Sequence, residues 1–475
     1  MQNEIRLNAH SERPLDILVL AAGLGTRMKS GKAKVLHQLG GHPLIVHVCR
    51  TAQLLNPRRI HVIVGHQADE VESAVLETLD PNQVTFIKQA QQLGTGDAVM
   101  SARETLTGAD STVLILSGDV PLIRAETLRL FLDQHRQSGG AGSILSVRME
   151  NPTGYGRIVR DDQDRFLKIV EQKDATSEEK QVREINSGIY CFETGKLFEA
   201  LTHVQPKNQQ GEYYLTDVAE ILKSDGEQVN VHLHHDAREV SGVNTRAELA
   251  EFENLLRRNT IRGLMLEGGV TFIDPSRTYI SPEAQIGRDT VIYPEVQIEG
   301  KTVIGENCEL RSGTRITSSR IGNNVTIKDH CLIIDSDVES RCSVGPFAHL
   351  RMNASLAEGS SVGNFVEVKK SRLGRGSKSM HLTYLGDATI GEKTNIGAGT
   401  ITCNYDGRHK HQTIIEDNVK IGSDTMLVAP VRVGSRSVTA AGSVVTNDVP
   451  PDTLVAGVPA VIKKSFEKGK NESES

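Results

Sequence analysis

From Ile280 onward an aliphatic residue recurs at every sixth position: Ile280, Ile286, Ile292, Ile298, Ile304, Leu310 and Ile316, several followed directly by Gly. The beat resumes at Ile321, Ile327 and Ile333 and runs through Val338, Val344, Leu350, Leu356, Val362 and Val368. It returns at Ile415, Ile421, Leu427, Val433, Thr439 and Val445. An amphipathic helix needs a period near 3.6 and a half-buried strand a period of 2, so six fits neither. It fits a coil whose three flat faces take about six residues each, with one small aliphatic side chain per corner stacked on its equivalent in the next turn. Stacking buries a column that a single turn could not bury. Two breaks in the beat, Ser371 to Tyr384 and Cys403 to Thr413, read as loops thrown out of the coil, where binding residues commonly gather.

The first half of the chain obeys a different rule. Short apolar runs rich in β-branched residues, DILVLAAG, RIHVIVG, VTFIKQ, STVLILSGD and GSILSV, alternate with amphipathic helical stretches. That alternation predicts α/β packing around a mostly parallel sheet. Between the two patterns, Leu249, Phe252, Leu255 and Leu256 fall at helical spacing among charges, so a helical connector is expected. The expected organisation is a polar tail over 1–14, an α/β domain over 15–244, a helical linker over 245–267, the coil over 268–461 and a mobile polar end over 462–475. At 475 residues the chain has length for several cores.

Charge and cysteine usage narrow the function classes. A net charge of -6 without a long basic face argues against nucleic acid as partner. The run from Ile17 to Ala22 is too short to span a bilayer, and no membrane insertion is expected. Cys49, Cys191, Cys308, Cys331, Cys342 and Cys403 form no CxxC pair and no zinc-spaced cluster, so they read as small hydrophobes of a reducing compartment, the cytoplasm.

The segment Leu20 to Lys34, LAAGLGTRMKSGKAK, follows the first apolar run. Gly23 and Gly25 let the backbone turn closely around a phosphate, and Arg27 and Lys34 supply positive charge. It is neither a Walker A loop nor a dinucleotide fingerprint, because no GK[ST] ends it and Met28 stands where the third Gly belongs. By itself it leaves phosphate binding and an ordinary glycine-rich turn equally open. Asp119, just past the STVLILSGD run, is equally a turn residue or a carboxylate suited to Mg²⁺.

These segments, together with QAQQLGTGDA, LSGDVPL, PTGYGRI, IVEQKDA, EINSGIY, GEYYLTD and SGVN, closely resemble the bacterial bifunctional N-acetylglucosamine-1-phosphate uridylyltransferase/glucosamine-1-phosphate acetyltransferases, in order and over nearly the whole chain. The hexad repeat is similar to that of the hexapeptide acyltransferases, whose trimers place active sites between neighbouring coils. The resemblance implies an α/β Rossmann-like nucleotidyltransferase domain followed by a left-handed parallel β-helix, assembled as a homotrimer. It implies that Ala22, Gly23, Gln89, Gly94 and Thr95 hold the uridine part of UTP, that Gly156, Glu171 and Asn186 hold the amino sugar, and that Asp119 and Asn244 hold Mg²⁺. Arg27 and Lys34 would then stabilise the reacting phosphates. Leu24, Ala33 and Ser117 depart from the family's usual Lys, Pro and aromatic residue, which bears on rate and base preference.

In the coil the resemblance makes His381 the general base that frees the acceptor amine for attack on the thioester of acetyl-CoA. Arg351, Lys369 and Lys410 would bind the sugar phosphate, Tyr384 and Asn395 would orient the sugar, and Glu367 would help position it. Asn404 and Tyr405 would align the acetyl group, with Ser423 and Ala441 near the acetyl-CoA groove. His349 and Met352 replace the usual Arg and Pro. Two rival readings stay open: a single-function sugar-1-phosphate nucleotidyltransferase with a trimerising tail, and a scaffold without activity.

Overall fold

The computed structural model describes residues 13–23, 25–106 and 110–465. Leu24, residues 1–12 of the polar tail expected over 1–14, and residues 466–475 of the end expected over 462–475 lie outside the described residues. The chain divides into two compact units, 1–253 and 254–475.

The first unit is built on a sheet of β1 (Leu15–Leu20), β2 (Arg59–Val64), β3 (Val84–Lys88), β4 (Thr112–Ser117), β5 (Gly142–Arg148), β6 (Arg157–Arg160), β7 (Phe166–Val170), β8 (Glu184–Glu193) and β9 (Val229–His234). The strand order is β9-β5-β8-β4-β1-β2-β3, with the β6–β7 hairpin joined to β8. All neighbours along that path are parallel except β8, which runs antiparallel to both β4 and β5. Ile17, Leu18 and Val19 of β1 and Val113, Leu114 and Ile115 of β4 are completely buried, as expected for strands covered on both faces. The carboxyl ends of β1 and β4 release the glycine-rich loop and Asp119 side by side, the edge where open α/β sheets bind ligands. Gly118 holds them together, its N–H donating to Leu20 O at 2.9 Å. At the amino end, Arg13 pairs with Glu193 and Asp110.

A helix spans Arg246–Leu266. Its start carries a capping box: Glu248 Oε2 accepts the N–H groups of Asn244 at 2.6 Å and Thr245 at 2.9 Å, and Thr245 Oγ1 accepts the N–H of Glu248 at 3.2 Å.

The second unit is a parallel β-helix of two- and three-residue strands. Ile286 pairs with Ile304 one turn on, and Ile304 with Ile321. The inward residues Ile292, Leu310, Ile316, Ile327, Ile333, Val344 and Leu350 are completely buried in one continuous column. They point inward from the flat strands, not from the corners as the spacing suggested. The corners are turned instead by left-handed residues such as Asp289, Asn307, Asn324 and Arg341. Side chains tolerate that conformation best when short and polar, which explains the Asn and Asp at these places. Many buried hydroxyls between strands are satisfied locally, as where Thr302 Oγ1 donates to Glu299 O at 2.7 Å.

The first expected loop does not exist. Residues 371–384 continue the coil, and the strand Ser361–Lys369 pairs in register with Lys378–Gly386. The beat is hidden there because Val362 pairs with Ser379, seventeen residues on, where Leu350 pairs with Val368, eighteen on. A hydroxyl also replaces the aliphatic group at the fully buried Ser379. The second break is an insertion: Ile390 pairs with Ile415, twenty-five residues on, and the extra length forms a loop after Cys403. Past the last turn, Val461–Ser465 runs antiparallel to Thr453–Ala456. Among the described residues, no helix is long and apolar enough to cross a membrane.

Candidate active sites

In the first unit three groups of residues line the carboxyl edge of the sheet. The tightest is ionic. Lys34 Nζ donates to Asp119 Oδ2 and, at 3.2 Å, to Asn244 Oδ1; Arg27 Nη2 donates to the same Asn244 oxygen at 2.8 Å. Gly25 is what brings the loop onto Lys34: it sits at φ 65°, and a Cβ there would lie 2.5 Å from Lys34 Cβ. Ala33 N–H donates to Gln67 Oε1 at 2.5 Å, a bond that the family's usual proline has no hydrogen to make. Among the described residues no group of three or more His, Cys, Asp or Glu side chains is placed to hold a metal ion. The divalent-cation candidates are therefore one carboxylate and one amide oxygen, a sparse hard-oxygen set that suits Mg²⁺ completed by phosphate and water. That a cation already touches both oxygens shows the pair fits a positive centre.

The second group joins Ala22, Gln89, Gly94 and Thr95. The buried Gln89 amide donates to Gly94 O at 3.2 Å and to Asp97 Oδ2 at 2.7 Å, and Gln92 Nε2 donates to Ala22 O at 2.6 Å. Thr95 Oγ1 accepts from Leu215 N–H at 3.0 Å. Gly23 stays exposed at the loop entrance. In the third group Asn186 N–H donates to Gly156 O at 2.9 Å, and a Cβ on Gly156 would stand 3.2 Å from Glu171 Oε1. Burial first, and then Asp174 and Asp217, push the Glu171 carboxyl above its ordinary pKa. Ser117, at the end of β4, places its hydroxyl beside Gly188.

In the coil, stacking places residues one turn apart side by side. The outward column His349, Glu367, Tyr384 and the neighbouring column Arg351, Lys369, Gly386 form one polar patch. Arg351 Nε donates to Glu367 Oε1 at 2.7 Å. Gly386 leaves room for the Tyr384 ring, which a Cβ there would strike. Lys410, reaching in from the inserted loop, has its ammonium pulled below the usual lysine range by Lys369 beside it. Two ammonium groups held together in this way favour a dianion between them. His349 is half-buried in the ladder, and burial lowers its imidazole pKa. Met352 is exposed, with its sulfur 3.4 Å from Arg351 Nη1.

His381 is exposed within the strand Lys378–Gly386, beside the left-handed Leu382, and not in a loop. Its Nδ1 donates to Asn364 Oδ1 at 2.7 Å, which leaves Nε2 as the basic nitrogen of the neutral ring. Asn404 is buried, and its amide donates to Asp387 Oδ2 at 2.6 Å. Tyr405 is 60% exposed and its hydroxyl folds back to Gly407 O at 2.7 Å, so it is not drawn to the other residues. Asn395 is exposed on a strand paired with Lys378 and Lys420. Ser423 and Ala441 occupy equivalent places in successive turns.

Sequence reasoning did not single out Asn364, Asp387, Asp97, Glu248 or Tyr155. Tyr155 bonds Ser241 beside Asp119 and Arg27, and burial raises its phenol pKa. Asn364 lies within the GNFVEVKK segment, but only the ladder pairs it with His381.

The fold and these sites define a nucleotidyltransferase unit joined to a hexapeptide-type transferase coil. Residues 17–182 match the MobA-like NTP transferase domain, 274–358 the GMPPB C-terminal domain, and 412–447 the bacterial transferase hexapeptide of six repeats, which makes the coil a left-handed β-helix. The chain is 49% identical to the bifunctional protein GlmU of Syntrophomonas wolfei over 93% of its length and 96% of that protein. It is 48% identical to that of Heliobacterium modesticaldum over 92% and 94%, and 47% identical to that of Geobacter metallireducens over 95% and 98%. The chain belongs to the bifunctional GlmU family.

Proposed function

We infer that each unit carries one step of a two-step synthesis. The chain is a bifunctional acetyltransferase and uridylyltransferase, as its family membership entails. The coil transfers acetyl from acetyl-CoA to glucosamine-1-phosphate. The α/β unit then transfers uridylyl from UTP to N-acetylglucosamine-1-phosphate, giving UDP-N-acetylglucosamine and pyrophosphate. The observation that supports assigning residues to both steps is two separate polar constellations, one around Lys34, Asp119 and Asn244 and one around His381 and Lys369. On this reading the domains follow the expected organisation, the protein is a cytoplasmic homotrimer, and neither a single-function enzyme nor a scaffold is needed.

In the first step His381 Nε2 takes the proton from the acceptor amine, with Asn364 holding the ring in the tautomer that leaves Nε2 basic. Arg351, Lys369 and Lys410 bind the sugar phosphate, and Glu367 keeps Arg351 in place. Tyr384 and Asn395 orient the sugar. Asn404, oriented by Asp387, steadies the developing oxyanion with Tyr405, and Ser423 and Ala441 line the acetyl-CoA groove.

In the second step the sugar phosphate is already an anionic nucleophile, so positioning and charge screening dominate. Mg²⁺, held by Asp119 and Asn244, screens the phosphate charge when bound. Arg27 and Lys34 bind the UTP phosphates. Ala22, Gly23, Gln89, Gly94 and Thr95 hold the uridine part; Gly156, Glu171 and Asn186 hold the amino sugar.

Two variants assayed for both half-reactions test this assignment. His381→Ala should lose about 10²- to 10⁴-fold in acetyl-transfer turnover while forming UDP-N-acetylglucosamine normally from ready-made N-acetylglucosamine-1-phosphate. Asp119→Asn should do the reverse. Normal acetyl transfer by His381→Ala would overturn the coil assignment, and normal uridylyl transfer by Asp119→Asn the other.

A further inference from the structure

The Lys34 ammonium lies between the two oxygens assigned to the divalent cation, in contact with both Asp119 Oδ2 and Asn244 Oδ1. Arg27 uses only Asn244, whose carbonyl oxygen has a second lone pair to offer. The Asp119 side chain is 14% exposed, and a carboxylate so far withdrawn from water needs a counter-charge. Lys34 supplies it. A divalent cation bound to both oxygens competes with an ammonium lying between them, because like charges a few ångströms apart repel strongly where water is scarce.

The oxygens are the fixed partners in this arrangement. Asp119 O accepts Val243 N–H at 2.9 Å, and Gly242 packs so closely that a Cβ would come within 3.0 Å of the Asp119 carboxylate. Asn244 is tied through its own N–H to Glu248, in the capping box that starts the helix Arg246–Leu266. The root of Lys34 is held against Gly25, but its four-carbon stem leaves the ammonium free to swing.

We propose that Lys34 is the resident cation of the metal site, competing with the divalent ion for these two oxygens until its ammonium is drawn away to nucleotide phosphate. Metal and nucleotide binding are thereby coupled through one side chain. The proposal rests on the reading of Asp119 and Asn244 as metal ligands.

The test uses Mn²⁺ alone as probe, with the full-length protein, no nucleotide present and bound ion counted by electron paramagnetic resonance. Lys34→Met keeps the stem and removes the charge, and should bind Mn²⁺ about tenfold more tightly than the unaltered protein, within the ~5- to 150-fold span of ordinary site coupling. Adding Asp119→Asn to Lys34→Met should abolish the gain. A folded Lys34→Met with no gain would overturn the proposal. The unaltered protein gives a second measurement that does not depend on a variant folding: Mn²⁺ alone should speed reductive methylation of Lys34 Nζ, read by mass spectrometry, and an unchanged rate counts against the exchange. If the unaltered protein binds no Mn²⁺ even with UTP present, the assignment of the metal ligands itself falls, and the proposal with it.

Discussion

Asp387 is a residue whose removal should damage acetyl transfer without its touching substrate. Its carboxylate accepts the Asn404 amide at 2.6 Å and pairs with Lys370 at 3.5 Å. Asn404 is only 7% exposed, so a lost partner is not readily replaced by water. A hydrogen bond to a charged group contributes about 1.5–3 kcal/mol. If that energy serves to aim Asn404 in the transition state, its loss corresponds to about a tenfold to hundredfold fall in kcat/KM. Asp387 sits at φ 48°, where Ala would add backbone strain, so glycine is the substitution that removes the carboxylate alone. Asp387→Gly should therefore show the fall in acetyl transfer, followed by release of the CoA thiol, with uridylyl transfer unchanged. Asp387→Asn keeps an acceptor oxygen and tolerates the left-handed backbone, and should recover most of the rate. A folded Asp387→Gly that acetylates normally, or an Asn variant as slow as the Gly variant, would refute a positioning role.

Two further outcomes follow from the α/β unit. Gly94 lies at φ 120°, with Tyr213 O 2.5 Å from where a Cβ would be, so Gly94→Ala should cost about 1–3 kcal/mol of stability and weaken UTP binding; unchanged melting and UTP titration would contradict this. Burial, and then Glu220 and Asp174, raise the Asp217 carboxyl from 3.8 to about 6. Between those values the folded state binds more protons than the unfolded state, so this group's contribution to stability falls as pH rises through the window. Asp217→Asn should thus stabilise the protein at pH 7 by about 1 kcal/mol once solvent screening of this half-buried group is allowed for, read as a higher melting temperature than that of the unaltered protein. The difference should vanish as pH falls below the unfolded value of 3.8, and equal shifts at neutral and acid pH would show that the carboxylate's charge is not the cause.

The period of six was legible because it is local: each short strand buries one side chain, and the same side chain type must return whenever the chain comes round. The β-branched runs of the first half were legible for a similar reason, since parallel strands buried on both faces are apolar throughout. Where the local signal failed, the cause was geometric. Ser379 occupies a fully buried place in the coil without being aliphatic, and the turn around it is one residue shorter than that ending at Val368, so a continuous stretch read as a loop.

The motif residues Arg27, Lys34, Asp119, Asn244, His381 and Lys369 could be named from the sequence through family resemblance. Their partners could not. Asn364 reaches His381, and Arg351 lies beside Lys369, only because the pitch of the coil sets residues seventeen or eighteen apart next to each other. Lys34 meets Asn244, 210 residues away, only after β1, β4 and the start of a helix converge at one edge of the sheet. Composition and period determine which side chains must be buried. Which polar atoms then face one another depends on turn length and strand order, quantities that no local stretch of sequence carries.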